Sequence, residues 1–181
     1  MRIIKSDGIE FRLLLVGNEN ASGQDKGPIT EQIASIAVAN GFSEWLIMPG
    51  RIPHEEVESY YSLMDICPFP RKPLLVCEMV SPMKPLEALA MGKAVVVSSV
   101  RALVEMIQDE KTGLVFEKGN IASLAMTFTR LIESPSLCAQ LGGEGRKWVE
   151  RERTWAQAGK KVAKLISELT GEKFGFLKSS L

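Results

Sequence analysis

Ser81-Pro82-Met83-Lys84-Pro85-Leu86-Glu87-Ala88-Leu89-Ala90-Met91-Gly92-Lys93-Ala94-Val95-Val96-Val97 reads as a helix feeding directly into a strand. Ser81 is a good N-cap and Pro82 a good first helical residue, while Lys84-Pro85 offers a second start about three residues on. Leu86, Ala90 and the small residues between them predict a tightly packed helix that Gly92 ends. The run Ala94-Val95-Val96-Val97 is apolar and β-branched without alternation, the pattern of a strand covered on both faces. A helix that delivers its chain into such a strand is part of a parallel α/β unit.

The same alternation extends outward. Upstream, Asp65-Ile66-Cys67-Pro68-Phe69-Pro70 predicts a short strand, and a long, mostly apolar loop follows over 71–81. Pro53 opens a helix whose apolar face is Val57, Tyr60, Tyr61 and Met64, with Glu55, Glu56 and Glu58 near its start, where the dipole favours acid. Trp45-Leu46-Ile47-Met48 predicts a strand ended by Pro49-Gly50. Ile29, Ile33, Ile36 and Ala37 recur at helical spacing before Asn40-Gly41. Phe11-Arg12-Leu13-Leu14-Leu15-Val16-Gly17 is a buried strand, and 18–27 a polar, Gly-rich loop. Downstream, a short helix runs through Val104 and Ile107, and Thr112-Gly113 turns the chain into strand Leu114-Val115-Phe116. Helices follow over 120–133, 136–153 and 155–169. Residues 1–170 form one domain and 171–181 a tail. The fold class is α/β, a Rossmann-like parallel sheet flanked by helices, so ligands sit at the carboxyl ends of the strands, after Gly17, Pro49, Phe69 and Ser98.

Composition narrows the function. Twenty-two Lys and Arg balance 22 Asp and Glu, which excludes a bulk electrostatic nucleic-acid binder. At 45% hydrophobic and 24% charged the chain reads as a soluble globular protein. No run of about 18 apolar residues predicts a spanning helix, and 1–7 lacks the apolar core of a signal peptide. Cys67, Cys77 and Cys138 have no metal-ligand spacing, and no metal is expected. As an odd set they suit thiols in a reducing cytoplasm.

The chemistry concentrates between 70 and 99. Free N–H groups near Met83 and Lys84 would point out of a helix N-terminus, which favours phosphate, and Lys84 adds a mobile positive charge. Glu87 shares a helix face with Lys84, and its carboxylate can accept hydrogen bonds from the paired hydroxyls of a ribose. A solvated Lys–Glu surface pair fits the spacing too. The apolar flanks Leu74-Leu75-Val76-Cys77 and Ala88-Leu89-Ala90-Met91 predict a mostly buried segment, in which a carboxylate needs a partner. Arg71, at a strand end, is either a phosphate ligand or a solvated loop residue, and Lys72 is a weaker version of it. His54 reads as a surface residue, and Ser98-Ser99 as small residues that relieve crowding at a strand end. Trp148 and Trp155 are expected to pack the terminal helices onto the core. Arg146-Lys147 and Lys160-Lys161 read as solvated faces, with contact to an anionic membrane as the lesser alternative.

Residues 82–96 resemble the donor-site signature of the retaining GT-B glycosyltransferases of the group 1 type. Leu14-Leu15-Val16-Gly17, Pro49-Gly50-Arg51-Ile52-Pro53-His54-Glu55-Glu56-Val57, Tyr60-Tyr61 with Asp65, and Thr112-Gly113-Leu114-Val115 resemble further segments of that family, in order, over roughly 11–169. The resemblance implies the C-terminal, donor-binding half of a GT-B fold. The partner would be a nucleotide-sugar of UDP or GDP type and no cofactor would be required. The sugar would pass with retention to a saccharide or lipid acceptor. It places Glu87 on the nucleotide ribose, Ser81, Pro82, Met83 and Lys84 around the donor's phosphates and sugar, and Arg51-Ile52 at the nucleobase. Gly17 and Arg71 complete the binding candidates, and Glu78 and Lys84 are the catalytic ones.

The sequence also departs from that pattern. The first Glu of the Glu-x7-Glu motif would stand at 79, where Met79 is found, and Glu78 precedes it by one. Val100-Arg101 replaces a Gly-Gly pair, whereas Glu105 matches the Glu that follows it. The acceptor-binding half, and a first strand supplying an Arg and a Lys to the diphosphate, are expected to be missing, leaving the chain inactive alone. An exposed apolar patch on 155–169, with self-association, is expected with that. The full protein is expected to be cytoplasmic, with peripheral contact at the inner face of the membrane. A non-catalytic nucleotide-binding or regulatory module on the same fold is the alternative, and a receiver-like domain fits poorly.

Overall fold

A computed structural model describes residues 11–17 and 27–171 of the chain. The strands are β1 (Leu13–Val16), β2 (Leu46–Gly50), β3 (Ile66–Phe69), β4 (Ala94–Ser98) and β5 (Leu114–Phe116). The helices are α1 (Pro28–Ala39), α2 (Val57–Ser62), α3 (Leu75–Met79), α4 (Lys84–Ala90), α5 (Arg101–Val104), α6 (Ile121–Ile132), α7 (Pro135–Glu152) and α8 (Trp155–Thr170). Single 3-10 turns, Ser43–Trp45 and His54–Glu56, lead into β2 and α2. The expected loop at 18–27 (Gly27 excepted) and the tail from 172 lie outside the described residues.

Among the described residues every strand pairing is parallel, as the alternation predicts. The hydrogen bonds form two groups rather than one continuous sheet, β1-β2 and β3-β4-β5. Central β4 sets Ile66 to Phe69 opposite Ala94 to Val97, and Val96 to Ser98 opposite Leu114 to Phe116. All five β4 residues are buried. Alternate side chains point to opposite faces of a strand. Val95 and Val97 therefore join Leu89, Leu103, Ile107 and Trp148 on one side, while Val96 packs with Leu114, Phe116, Leu131 and Leu141 on the other. This two-sided burial explains the unbroken valine run.

Helix α7 approaches the α4–β4 turn without side chains between them. A Cβ on Gly142 would lie 2.0 Å from the Gly92 carbonyl oxygen, and one on Gly145 would lie 2.5 Å from the Leu89 side chain. These glycines let α7 clamp the unit that carries the candidate site. Asn120, Ser134 and Thr154 cap α6, α7 and α8 through their side chains, satisfying N-terminal amides.

Three expectations need correction. The 71–81 segment is not a plain loop, because it contains α3. Nor is it buried: Leu74, Leu75, Val76 and Met79 are all more than half exposed. Polar atoms tie this segment down, as described below, leaving its apolar side chains outward. Of the two starts the sequence offers for the helix after it, the structure takes Lys84, so Ser81 and Pro82 precede it. Trp148 is buried as expected, but Trp155 is 81% exposed. Trp155 opens α8, in which no residue is buried, and Val162, Leu165 and Leu169 are exposed with it. The expected apolar patch is therefore present. No described helix is long and apolar enough to cross a membrane.

Candidate functional site

The chain enters α4 from the loop that leaves the carboxyl end of β3, so the start of α4 is its end nearest the strand tips. Met83 is the N-cap and no side chain caps the helix. The backbone N–H groups of Met83 and Lys84 meet no acceptor among the described residues, and the Lys84 side chain is exposed without an ion pair there. This gives the positive helix end that the spacing predicts.

Glu87 lies in the first turn of α4 and is exposed rather than buried. It does not pair with Lys84. Its carboxylate accepts a hydrogen bond from the Tyr61 hydroxyl at 3.2 Å, and the same hydroxyl reaches the Lys84 carbonyl at 3.4 Å. The Tyr61 ring packs against the buried core. Burial first, and the Glu87 carboxylate second, push its phenol well above the ordinary tyrosine range, so it remains a donor. In the sequence Tyr61 is legible only as an apolar-face residue four before Asp65. The signal that finds it is its place one helix over from Glu87, which only the fold supplies.

The segment between β3 and α4 is fastened at three points. The Arg71 backbone N–H donates to the Ser98 hydroxyl at 3.0 Å, and its guanidinium donates to the Val80 carbonyl at 2.8 Å. Arg71 thus closes its own loop, and Ser98, fully buried at the tip of β4, is a bonding partner as well as a small residue. Glu78 makes the third fastening. Its carboxylate accepts the Arg101 backbone N–H at 2.7 Å, at the start of α5, and the Lys118 ammonium. The Lys118 contact first, then the Arg101 amide, holds the Glu78 carboxyl below its ordinary range. Lys118 follows β5 in the turn Glu117-Lys118-Gly119-Asn120, and its own backbone N–H donates to the Ser99 hydroxyl at 3.0 Å. A basic residue just past a strand's carboxyl end was the signal in the sequence for it. Met79, at the position expected for the other Glu, is exposed.

The second group of candidates lies at the tips of β1 and β2. Gly17 takes φ +107 and Gly50 φ +80, a region open mainly to glycine, and the Gly17 N–H donates to the Gly50 carbonyl at 2.7 Å. Arg51 and Ile52 follow directly, with Arg51 exposed, and His54 is an exposed residue of the next turn. No hydrogen bond among the described residues joins Arg51 or Ile52 to the Glu87 group. A cavity of about 220 Å³ lined by Gln108, Thr112, Lys147 and Trp148 adjoins the turn that enters β5, away from these tips. No cluster of His, Cys, Asp or Glu among the described residues suits a metal ion. Cys67, Cys77 and Cys138 are unpaired.

Comparison with known proteins gives one consistent answer. Residues 1–148 match the sequence profile of the family described as glycosyl transferases group 1. A curated relative, the GDP-mannose-dependent alpha-(1-6)-phosphatidylinositol monomannoside mannosyltransferase of Mycolicibacterium smegmatis, is 28% identical over 144 residues. The match spans 78% of this chain and 37% of that protein. Among solved structures, the C-terminal domain of the group 1 glycosyl transferase LpcC from Francisella tularensis matches with a TM-score of 0.66 at 19% identity, over 84% of this chain and 74% of that one. HepE from Anabaena, in complex with UDP, matches with a TM-score of 0.69 at 16% identity, over 87% of this chain and 41% of that one.

Proposed function

Because the chain belongs to the group 1 glycosyltransferases, we propose that it is the donor-binding half of an enzyme that moves a sugar from a nucleotide-sugar to a saccharide or lipid acceptor with retention. The chain spans a little over a third of the curated relative it matches, which supports a second, acceptor-binding half in the working protein. The observation that carries the reading is the first turn of α4. An ammonium and two backbone amides that meet no partner among the described residues, and a carboxylate steadied by a neighbouring hydroxyl, sit together on one helical turn.

These groups divide the work by charge. Transfer from a nucleotide-sugar develops negative charge on the departing diphosphate. The Lys84 ammonium and the Met83 and Lys84 amides oppose that charge with dipoles already in place. Glu87, an acceptor when ionised, takes the ribose hydroxyls. Glu78 is held by Lys118 and Arg101, which orders the segment of Ser81 and Pro82 beside the donor sugar, and its remaining lone pairs face the sugar hydroxyls. Arg51 and Ile52 meet the base at the β2 tip beside Gly17, and Arg71 keeps the loop closed. A UDP or GDP donor is in keeping with the relative named for GDP-mannose and the neighbour solved with UDP.

Calorimetric titration of the 181-residue chain tests the phosphate assignment. Lys84→Ala is expected to weaken UDP or GDP about tenfold, near the range for a charge-assisted hydrogen bond, while leaving uridine or guanosine nearly unchanged. Equal losses for diphosphate and nucleoside would contradict it.

A further inference from the structure

We infer that Tyr61 is a positioning residue for nucleotide recognition: its hydroxyl fixes the rotamer of Glu87 so that the free carboxylate edge presents to the ribose hydroxyls. The inference rests on the ribose role of Glu87 and names the group that makes that role selective. An exposed glutamate on a helix samples several rotamers, and ordering it on binding opposes association. Tyr61 removes part of that freedom in advance. Its ring is partly buried against the core, and its hydroxyl stands 3.2 Å from Glu87 Oε2. One bond to Oε2 leaves Oε1 open, and a carboxylate has about four acceptor sites. The second contact, to the Lys84 carbonyl at 3.4 Å, registers α2 against the turn that carries both proposed ligand groups. Raised out of its ordinary titration range by burial and by Glu87, the phenol stays protonated and donating at any working pH.

The test separates positioning from plain structural support by asking which part of the ligand notices. The full chain and its Tyr61→Phe and Glu87→Gln variants are titrated with UDP and GDP, each against its 2′,3′-dideoxy counterpart. Wild type is expected to prefer the ribose form about tenfold or more, and Glu87→Gln to lose most of that preference. Tyr61→Phe, which keeps the packed ring, is expected to weaken the ribose form three- to tenfold and leave the dideoxy form unchanged. If wild type shows no ribose preference, or Glu87→Gln keeps it, the ribose role of Glu87 fails and this inference with it. If Glu87→Gln loses the preference while Tyr61→Phe keeps it, or weakens both ligands equally, the ribose role stands and the positioning role of Tyr61 is overturned.

Discussion

Replacing Gly142 by Ala tests the clamp that holds the α4–β4 unit in place. The added Cβ would lie 2.0 Å from the Gly92 carbonyl oxygen and 2.7 Å from its carbon, where real Cβ atoms stay beyond 3.0 Å. Helix α7 would have to retreat by about 1 Å, loosening Leu141 and Trp148, both buried on the same helix. Gly92 cannot easily yield, since its φ of +68 already sits in glycine's region. Overpacking of this kind costs about 1–3 kcal/mol, and backbone meeting backbone belongs at the upper end. The helix gains about 1 kcal/mol from Gly to Ala. The expected net loss is about 1–2 kcal/mol, a fall in Tm of about 2–8 °C for a chain of this size. Gly143 supplies the control, because a Cβ there meets nothing within 4 Å, and Gly143→Ala should stabilise by up to about 1 kcal/mol. Thermal unfolding followed by circular dichroism reads both. A Gly142→Ala protein as stable as Gly143→Ala would refute the close approach.

Two further outcomes follow from titratable groups. Lys118 and the Arg101 amide lower the Glu78 carboxyl from its ordinary 4.5, so the stability from this fastening is present at neutral pH and lost as pH falls below 4.5 through the lower folded value. Wild type should melt above Glu78→Gln from pH 7 down to about pH 5, and the gap should narrow progressively as pH falls below 4.5; a gap that does not narrow on acidification would remove the ionic role. Burial pushes the Cys67 thiol up to about 12, so brief iodoacetamide treatment of the native chain near pH 8 should label half-buried Cys77 and spare Cys67. Comparable labelling of the two by peptide mass spectrometry would contradict the packing of β3.

Much of this architecture is legible in residue order because the physics behind it is local. The valine run of β4 announces two-sided burial by its lack of alternation, and Gly92 and Asn40-Gly41 end their helices where glycine and asparagine are expected to. The start of α4 resolves at Lys84 rather than Ser81 because Glu78 and Arg71 pull 71–83 into a fastened segment of its own. Those fastenings join residues 9 to 40 positions apart, a separation that no periodicity encodes. The apolar residues of that segment were expected inside by composition, but its polar atoms are what anchor it. For the site, Lys84 and Glu87 were visible as one helical turn. Their real partners were not: i, i+3 spacing suggests that they bond each other, whereas Glu87 takes its bond from Tyr61, 26 positions away.

The central claim is that the Glu87 carboxylate grips the ribose of a nucleoside diphosphate. Calorimetric titration of the wild-type chain and Glu87→Gln with UDP and GDP tests it most directly. The account predicts binding by wild type and a loss of about 1–2 kcal/mol in the variant, the size of a lost charge-assisted hydrogen bond, with the Tm of the unliganded protein unchanged. Equal affinity in the two proteins would contradict it.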